Sequence, residues 1–298
     1  MVKKIISHLN PRHLDDFFAI ALLKSRYPDA DIEYVHPQNV PEEYYEDPQI
    51  ILVDVGMQYS PEKKNYDHHH NLDIPCSLVL VLKHEPITGV NDITNHPAIQ
   101  FIDLTDRYGV RKAAEQLRVP LEKEIDNMRR TILLTDIPKY ATDIAKYFFY
   151  ALQRTDNFND FLRTLYEQLD NTGVLEEAKE RIKEEERKFQ ERLSKAKTLR
   201  IGQLKVVLSE LTLAPYHYRV FSELNADLII EQNSMNDKHT SIIKNTNSER
   251  AKDLDLSRVF LKYRKVFLHK NGFIAVIDNP IESIDAEEIV KLISNSQK

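Results

Sequence analysis

The sequence has no tryptophan, one cysteine, four methionines and only six glycines in 298 residues. The lone cysteine, Cys76, excludes a disulfide framework and a thiolate metal site. No apolar run approaches the ~18 residues of a membrane span, and the opening MVKKIISHLN is too soon polar to read as a signal peptide. Basic charge is not in excess either. The formal net charge is −6, which argues against a strongly basic nucleic-acid binder. It leaves nucleic acid open, because bound divalent metals would reverse the sign locally. These absences lead to the expectation of a soluble, cytoplasmic protein with no membrane partner.

What is present is a charge-rich globular composition, 42% hydrophobic and 30% charged. The length is about two domains' worth at roughly 150 residues each. Short β-like runs alternate with helical periodicity near the start: Lys3 to His8, a helix over Leu14 to Arg26, a strand over Asp31 to His36, and the apolar run Ile50 to Val55 with one acid in it. Such continuous runs are the mark of buried parallel strands, and the alternation points to an α/β sheet. Asn10 and Pro11 break the first run. A helix is expected over Ile74 to Lys83, then helices over 97–107, 109–117, 120–135, 140–153 and 157–169. The charged stretch Leu175 to Lys197, with Glu and Lys or Arg four apart, predicts an exposed helix. Strands follow over 199–210, 227–232, 239–244 and 272–278, with a closing helix over 284–294. The expected organisation is therefore a domain over 1–174 with a helical second half, a linker helix over 175–198, and a smaller α+β domain over 199–298.

Six of the eleven histidines fall in the first seventy residues. His8, His13, Asp15 and Asp16 span the end of the first strand and the start of the first helix. Asp54 lies at the end of IILVDV. Asp67, His68, His69 and His70 follow. In a parallel sheet all three groups share the carboxyl edge of the strands, where open α/β sheets bind ligands. Each has an ordinary structural explanation alone: Asp15 and Asp16 suit a helix N-terminus, and a lone strand-end histidine is commonly structural. Together they form an all-nitrogen-and-oxygen donor set suited to Mn²⁺, Mg²⁺, Zn²⁺ or Fe²⁺. Two ions ~3.5–4 Å apart can clamp the attacking and leaving oxygens of a phosphoryl group, and a carboxylate such as Asp54 could bridge them.

These residues resemble the DHH phosphoesterase superfamily, whose name-giving motif stands here as Asp67-His68-His69. Within it they are similar to the MYG1 (UPF0160) family. The likeness is carried by His8, His13, Asp15 and Asp16, by Val53-Asp54-Val55-Gly56, by Tyr66-Asp67-His68-His69, and by Phe101 to Gly109 with its two acids, Asp103 and Asp106. Leu9-Asn10-Pro11-Arg12 stands where the family has a glycine, Arg107 where it has an asparagine, and His70 is an extra histidine. The resemblance implies a DHH-type N-terminal domain with a mainly parallel sheet flanked by helices. It implies two divalent ions, Mn²⁺ before Mg²⁺, Zn²⁺ or Fe²⁺, held by His8, His13, Asp15, Asp54, His68 and one fourth-motif acid, Asp103 in preference to Asp106. It implies that His69 contacts the scissile phosphate or protonates the leaving group, that Asp67 orients a histidine, and that the C-terminal domain grips substrate. Arg107, His70 and His239 are the candidate substrate contacts. The implied activity is a 3′→5′ exonuclease on short RNA or DNA. A phosphohydrolase of pyrophosphate, polyphosphate, cyclic dinucleotides or nucleotides is the alternative, and a catalytically silent relative a second one. A homodimer is compatible with the chain.

Overall fold

The computed structural model describes residues 2–9, 13–37, 39–85, 87, 93–214, 216–269 and 271–294. The break expected at Asn10 and Pro11, and Arg12 with it, lies outside them. The chain divides into two compact units, Met1–Ile182 and Lys183–Lys298. The division falls inside the charged helix, not at either end of it. Among the described residues no helix is long and apolar enough to cross a membrane.

The first unit runs β1 (Lys4–His8), α1 (Leu14–Arg26), β2 (Asp31–Val35), β3 (Ile50–Val53), β4 (Tyr59–Ser60), β5 (Asn65–Tyr66), α2 (Ser77–His84), α3 (Pro97–Tyr108), α4 (Val110–Leu117), α5 (Lys123–Leu133), α6 (Ile137–Leu152) and α7 (Phe158–Asn171). Its sheet has the order β2-β1-β3-β5-β4. β1, β2, β3 and β5 are parallel, and β4 alone runs antiparallel. This is the mainly parallel, helix-flanked sheet that the apolar runs imply; all four residues of β3 are buried. β4 and β5 are too short to register as a pattern, yet β5 is what delivers Asp67 to the shared edge.

Helix α1 is the spine of this unit. Every residue from Leu14 to Leu23 is buried, so the helix is enclosed rather than amphipathic. It packs against α6 and α2. Phe18 meets Phe148 at 4.9 Å between ring centroids and Phe161 at 6.1 Å, while Phe148 meets Phe161 at 5.5 Å. These separations suit tilted and edge-on aromatic packing. Helix α6 begins earlier than its apolar periodicity suggests, at Ile137. Pro138 falls in its first turn, where a missing N–H costs nothing, and Asp136 caps it by accepting from Lys139 N at 3.2 Å. Helix α5 starts later than expected, at Lys123, because Glu122 is extended (φ −103°, ψ 133°).

Helix α8 (Glu176–Lys195) leads into the second unit: β6 (Lys197–Ile201), β7 (Leu204–Ser209), α9 (His217–Glu223), β8 (Leu228–Gln232), β9 (Thr240–Lys244), β10 (Lys265–Leu268), β11 (Ile274–Ile277) and α10 (Ala286–Ser294). The sheet order is β10-β11-β9-β8-β7-β6. Among the described residues only β7 and β8 pair in parallel, which makes this unit α+β as expected. α9 and β10 went unseen in the sequence pattern. Buried Asp227, before β8, ties the sheet together by accepting from Lys205 N at 2.8 Å and Arg250 Nε at 3.1 Å.

The aromatic cluster under α1 yields a stability prediction. Phe148→Ala removes a fully buried ring and should lower unfolding stability by about 3–5 kcal/mol, read as a lower urea midpoint. An unchanged midpoint would show that the cluster does not anchor the unit.

Candidate metal centre

Parallel pairing fixes the site's position. β1 ends at His8, β3 ends just before Asp54, and β5 ends just before Asp67, so all three chain segments emerge on one edge. α1 starts beside them, with Asp15 and Asp16 in its first turn. Asp16 sits where a carboxylate can reach back to the helix start, and its Oδ1 accepts from His13 N at 2.7 Å, half of a capping box.

Asp54 is the centre of the arrangement. Its Oδ2 lies 3.2 Å from His8 Nε2, and its Oδ1 lies 3.3 Å from His68 Nε2. His69 Nδ1 is 3.8 Å from Oδ1. Ser77 Oγ stands 2.8 Å from both Asp54 Oδ1 and Tyr66 O; its single proton can serve one at a time. The backbone at Asp54 is left-handed, φ 57°, a conformation Asp tolerates better than most residues and one that clusters at functional sites. The following turn contains Gly56 at φ 103°, where an added Cβ would come within 2.9 Å of the Tyr45 ring. It carries Met57 N to Asp67 Oδ2 at 2.7 Å.

Asp67 is buried and acts on its neighbour. Its Oδ1 accepts from both His69 N and His69 Nδ1 at 2.8 Å, which fixes a half-exposed imidazole. On the other side, Asp106, in the last turn of α3, lies 3.1 Å from His13 Nδ1 through Oδ1 and 2.7 Å from His68 Nε2 through Oδ2. Two sets of side chains bring ligand atoms within 4.8 Å of one another: Asp54, His68 and His69, and His13, Asp15 and Asp106.

The donor set fits divalent cations on its own geometry. Both carboxylate oxygens of Asp15, one each of Asp16 and Asp54, and both ring nitrogens of His68 are buried without a hydrogen-bond partner. The 2.7 Å approach of His68 Nε2 to Asp106 Oδ2 is close, but the nitrogen remains without a hydrogen-bond partner. Buried polar atoms without partners number only a few in a native structure. Here the six on Asp15, Asp16, Asp54 and His68 fall in one cluster, and all are nitrogen or oxygen donors, as Mn²⁺, Mg²⁺, Zn²⁺ or Fe²⁺ would require.

Electrostatics makes the same point. Like charges about 4.8 Å apart repel by roughly 3.5 kcal/mol at an effective dielectric near 20, a sizeable part of a domain's ~5–15 kcal/mol. Without a cation the acids respond by holding protons. Burial, and then the charge of Asp54, pushes Asp16 up to about 7. Burial and the charges of Asp54, Asp106 and Asp16 push Asp15 well above the carboxylate range. For Asp54, burial is outweighed by His68 and His8, which hold it strongly ionised. For Asp106, burial is outweighed by His13 and His68, which bring it to about 2. The histidines move the opposite way. His8, facing Asp54 at 3.2 Å, rises to about 9. For His68, burial is overcome by Asp106 and Asp54, which raise it to about 10.

His8, His13, Asp15, Asp54, Asp67, His68 and His69 are thus brought together. Asp103 is not. Its Oδ1 accepts from Cys76 N at 2.7 Å and from Arg107 Nε at 3.1 Å, and Arg107 Nη2 binds its other oxygen. The fourth-motif position in the cluster belongs to Asp106, because the acids sit on one helix three residues apart and only the later one is turned toward His13 and His68. Arg107, expected at the substrate, is committed to Asp103 and to Leu72 O at 2.8 Å. His70 is exposed beside the cluster. His239 lies in the second unit, where Nε2 faces Asp278 Oδ1 at 3.3 Å. Sequence reading missed Ser77 and the Met57 amide; neither leaves a signal, since both act across loop closures.

Residues 4–72 match the model of an uncharacterised protein family, UPF0160. No curated protein matches the chain. Among solved structures, a pGpG-specific phosphodiesterase, PggH, from Vibrio cholerae is similar over 99% of both chains, with a TM-score of 0.50 at 15% identity. That likeness is one of fold. The family match over residues 4–72 agrees with the MYG1 (UPF0160) resemblance carried by the motifs in that segment.

A pH prediction follows from the site's protons. In the metal-free protein near pH 7, His8 and His68 are below their raised pKa values and carry protons, while Asp15 and Asp16 are shifted toward protonation. Metal ligands must be deprotonated, so Mn²⁺ affinity should rise from about pH 6 to about pH 9, and Mn²⁺ uptake near neutrality should release protons. Calorimetry in buffers of different ionisation enthalpy reads both; an affinity flat across that range would contradict the assignment.

Proposed function

We propose that this chain is a two-metal phosphodiesterase that removes nucleotides from the 3′ end of short RNA or DNA, down to dinucleotides. The observation that carries the reading is the double-sided placement of Asp54, with Oδ2 toward His8 and Oδ1 toward His68. A carboxylate so placed can belong to two cation sites at once. His8, His13, Asp15, Asp54, His68 and Asp106 would hold the ions, with Asp16 in support and Mn²⁺ the proposed metal. Such a pair supplies a water acidic enough to attack phosphorus near neutral pH. The structural neighbour's specificity for pGpG favours very short substrates over long polymers, and the acidic net charge agrees.

The chain's own residues supply the rest. Asp67 holds Nδ1 of His69, leaving Nε2 of a half-exposed ring free to meet a phosphate oxygen. Asp67, ahead of the opposing effect of burial, raises the His69 pKa, so the ring can keep a proton for the leaving oxygen. Ser77 holds Asp54 in register with β5. His68, which would hold a metal, has no hydrogen-bond acceptor at Nδ1 among the described residues, so its orientation rests on packing and on Asp54 and Asp106.

The test is hydrolysis of a 5′-labelled oligoribonucleotide and of pGpG, with and without Mn²⁺. Asp54→Ala, His68→Ala and Asp106→Ala should each lower activity by at least about a hundredfold, the upper end of the loss seen for outer-shell partners alone, with Mn²⁺ stoichiometry reduced. Asp103→Ala should lose less than Asp106→Ala. Wild-type protein inert on every length would remove the nuclease reading. A second prediction concerns His69→Ala: kcat should fall while bound Mn²⁺ is retained, and loss of metal instead would make His69 a ligand rather than a proton donor.

A further inference from the structure

One cavity of about 550 Å³ lies in the first unit beside the cluster. It falls within the ~300–1,000 Å³ typical of small-molecule sites. His13, Asp15 and Asp106, which form one of the two candidate cation groups, also line this cavity. The remainder is unlike a phosphate site. Phe101 and Phe158, stacked at 4.1 Å and 25°, form part of the wall with Ile102 and Ile125. Val110, 44% exposed, and Leu121, 56% exposed, are large apolar side chains left in solvent among its lining residues.

Five polar side chains interrupt that apolar lining: Thr105, Glu122, Asp126, Arg129 and Asn159, of which Arg129 Nη2 donates to Asp126 Oδ1 at 2.6 Å. Thr105 Oγ1 is buried with no partner. The Asn159 carboxamide donates to Pro120 O at 3.0 Å and to Glu122 Oε1 at 2.8 Å, and the other Glu122 oxygen accepts from Arg163 Nη2. An inorganic phosphate compound would leave the apolar wall uncovered. A hydrocarbon chain would leave the buried Thr105 Oγ1 without a partner and meet the polar side chains of the lining with no polar group of its own. A nucleobase has both an apolar face and a hydrogen-bonding edge. Resting on the nucleotide phosphodiesterase reading above, we infer that this cavity receives the base of the nucleotide whose phosphate lies at the His13, Asp15 and Asp106 end. The cavity then selects nucleotides over pyrophosphate and polyphosphate, and makes Val110 and Leu121 specificity-determining residues.

The experiment is calorimetric titration of the Mn²⁺-loaded full chain with a nucleoside 5′-monophosphate and with ribose 5-phosphate. The same preparation is assayed for pGpG hydrolysis. Wild type should bind the nucleotide at least about tenfold more tightly, equivalent to about 1.4 kcal/mol. Val110→Trp and Leu121→Trp, at exposed positions that leave the core intact, should each cut that preference to threefold or less. Equal affinity for the two ligands, or a preference unchanged in both variants, overturns the cavity assignment. If pGpG is still hydrolysed in that case, the phosphodiesterase reading survives and only the base site falls; if pGpG is untouched, both fall together.

Discussion

Four carboxylates drawn away from water into one corner are the constraint that organises the first unit. Asp15, Asp16 and Asp54 are buried and Asp106 nearly so, and no arrangement of neutral neighbours satisfies them all. Isolated buried charge is not tolerated; it must be neutralised by protons, by His8, His13 and His68, or by cations. The first two remedies leave ligand atoms unpaired. The third would engage the carboxylate oxygens of Asp15 and Asp54 and Nε2 of His68. What would be a fault in an ordinary core is therefore the property that makes the corner a cation receptor.

The fold supplies the means of holding that charge in place. A parallel sheet brings three strand ends to one edge, and α1, enclosed for ten residues, fixes the acids of its first turn by burying everything behind them. The phenylalanine cluster beneath α1 is accordingly tied to the chemistry: it supports the position of Asp15 at one end of the helix through apolar packing further along it.

The parts of this visible in the sequence are those whose signal is local. The run Ile50 to Val53 declared a buried strand, Asp54 declared its end, and the histidines beside the acids declared a donor set. The helix Leu14 to Arg26 was legible from its apolar spacing and the acids of its first turn. What needed coordinates was rotation and closure. Asp103 and Asp106 share a helix and differ by three residues, so periodicity cannot say which meets His68; the answer lies in Arg107 and the Cys76 amide, which occupy Asp103. Ser77 reaches Asp54 across 23 residues, and β4 and β5 are two-residue strands with no pattern to read. The start of α6 at Ile137 escaped the apolar spacing, because Pro138 is tolerated only where it falls in the first turn.

The left-handed backbone at residue 54 narrows the residue choices there before any chemistry is considered. Glycine, asparagine and aspartate are the residues at ease with that conformation, and of these aspartate alone brings a negative charge. A glutamate would keep the charge and add reach, but would sit in a conformation it resists while crowding the serine and the two imidazoles around it. Conformational preference and charge thus select the same amino acid independently, so this position should admit no conservative replacement at all.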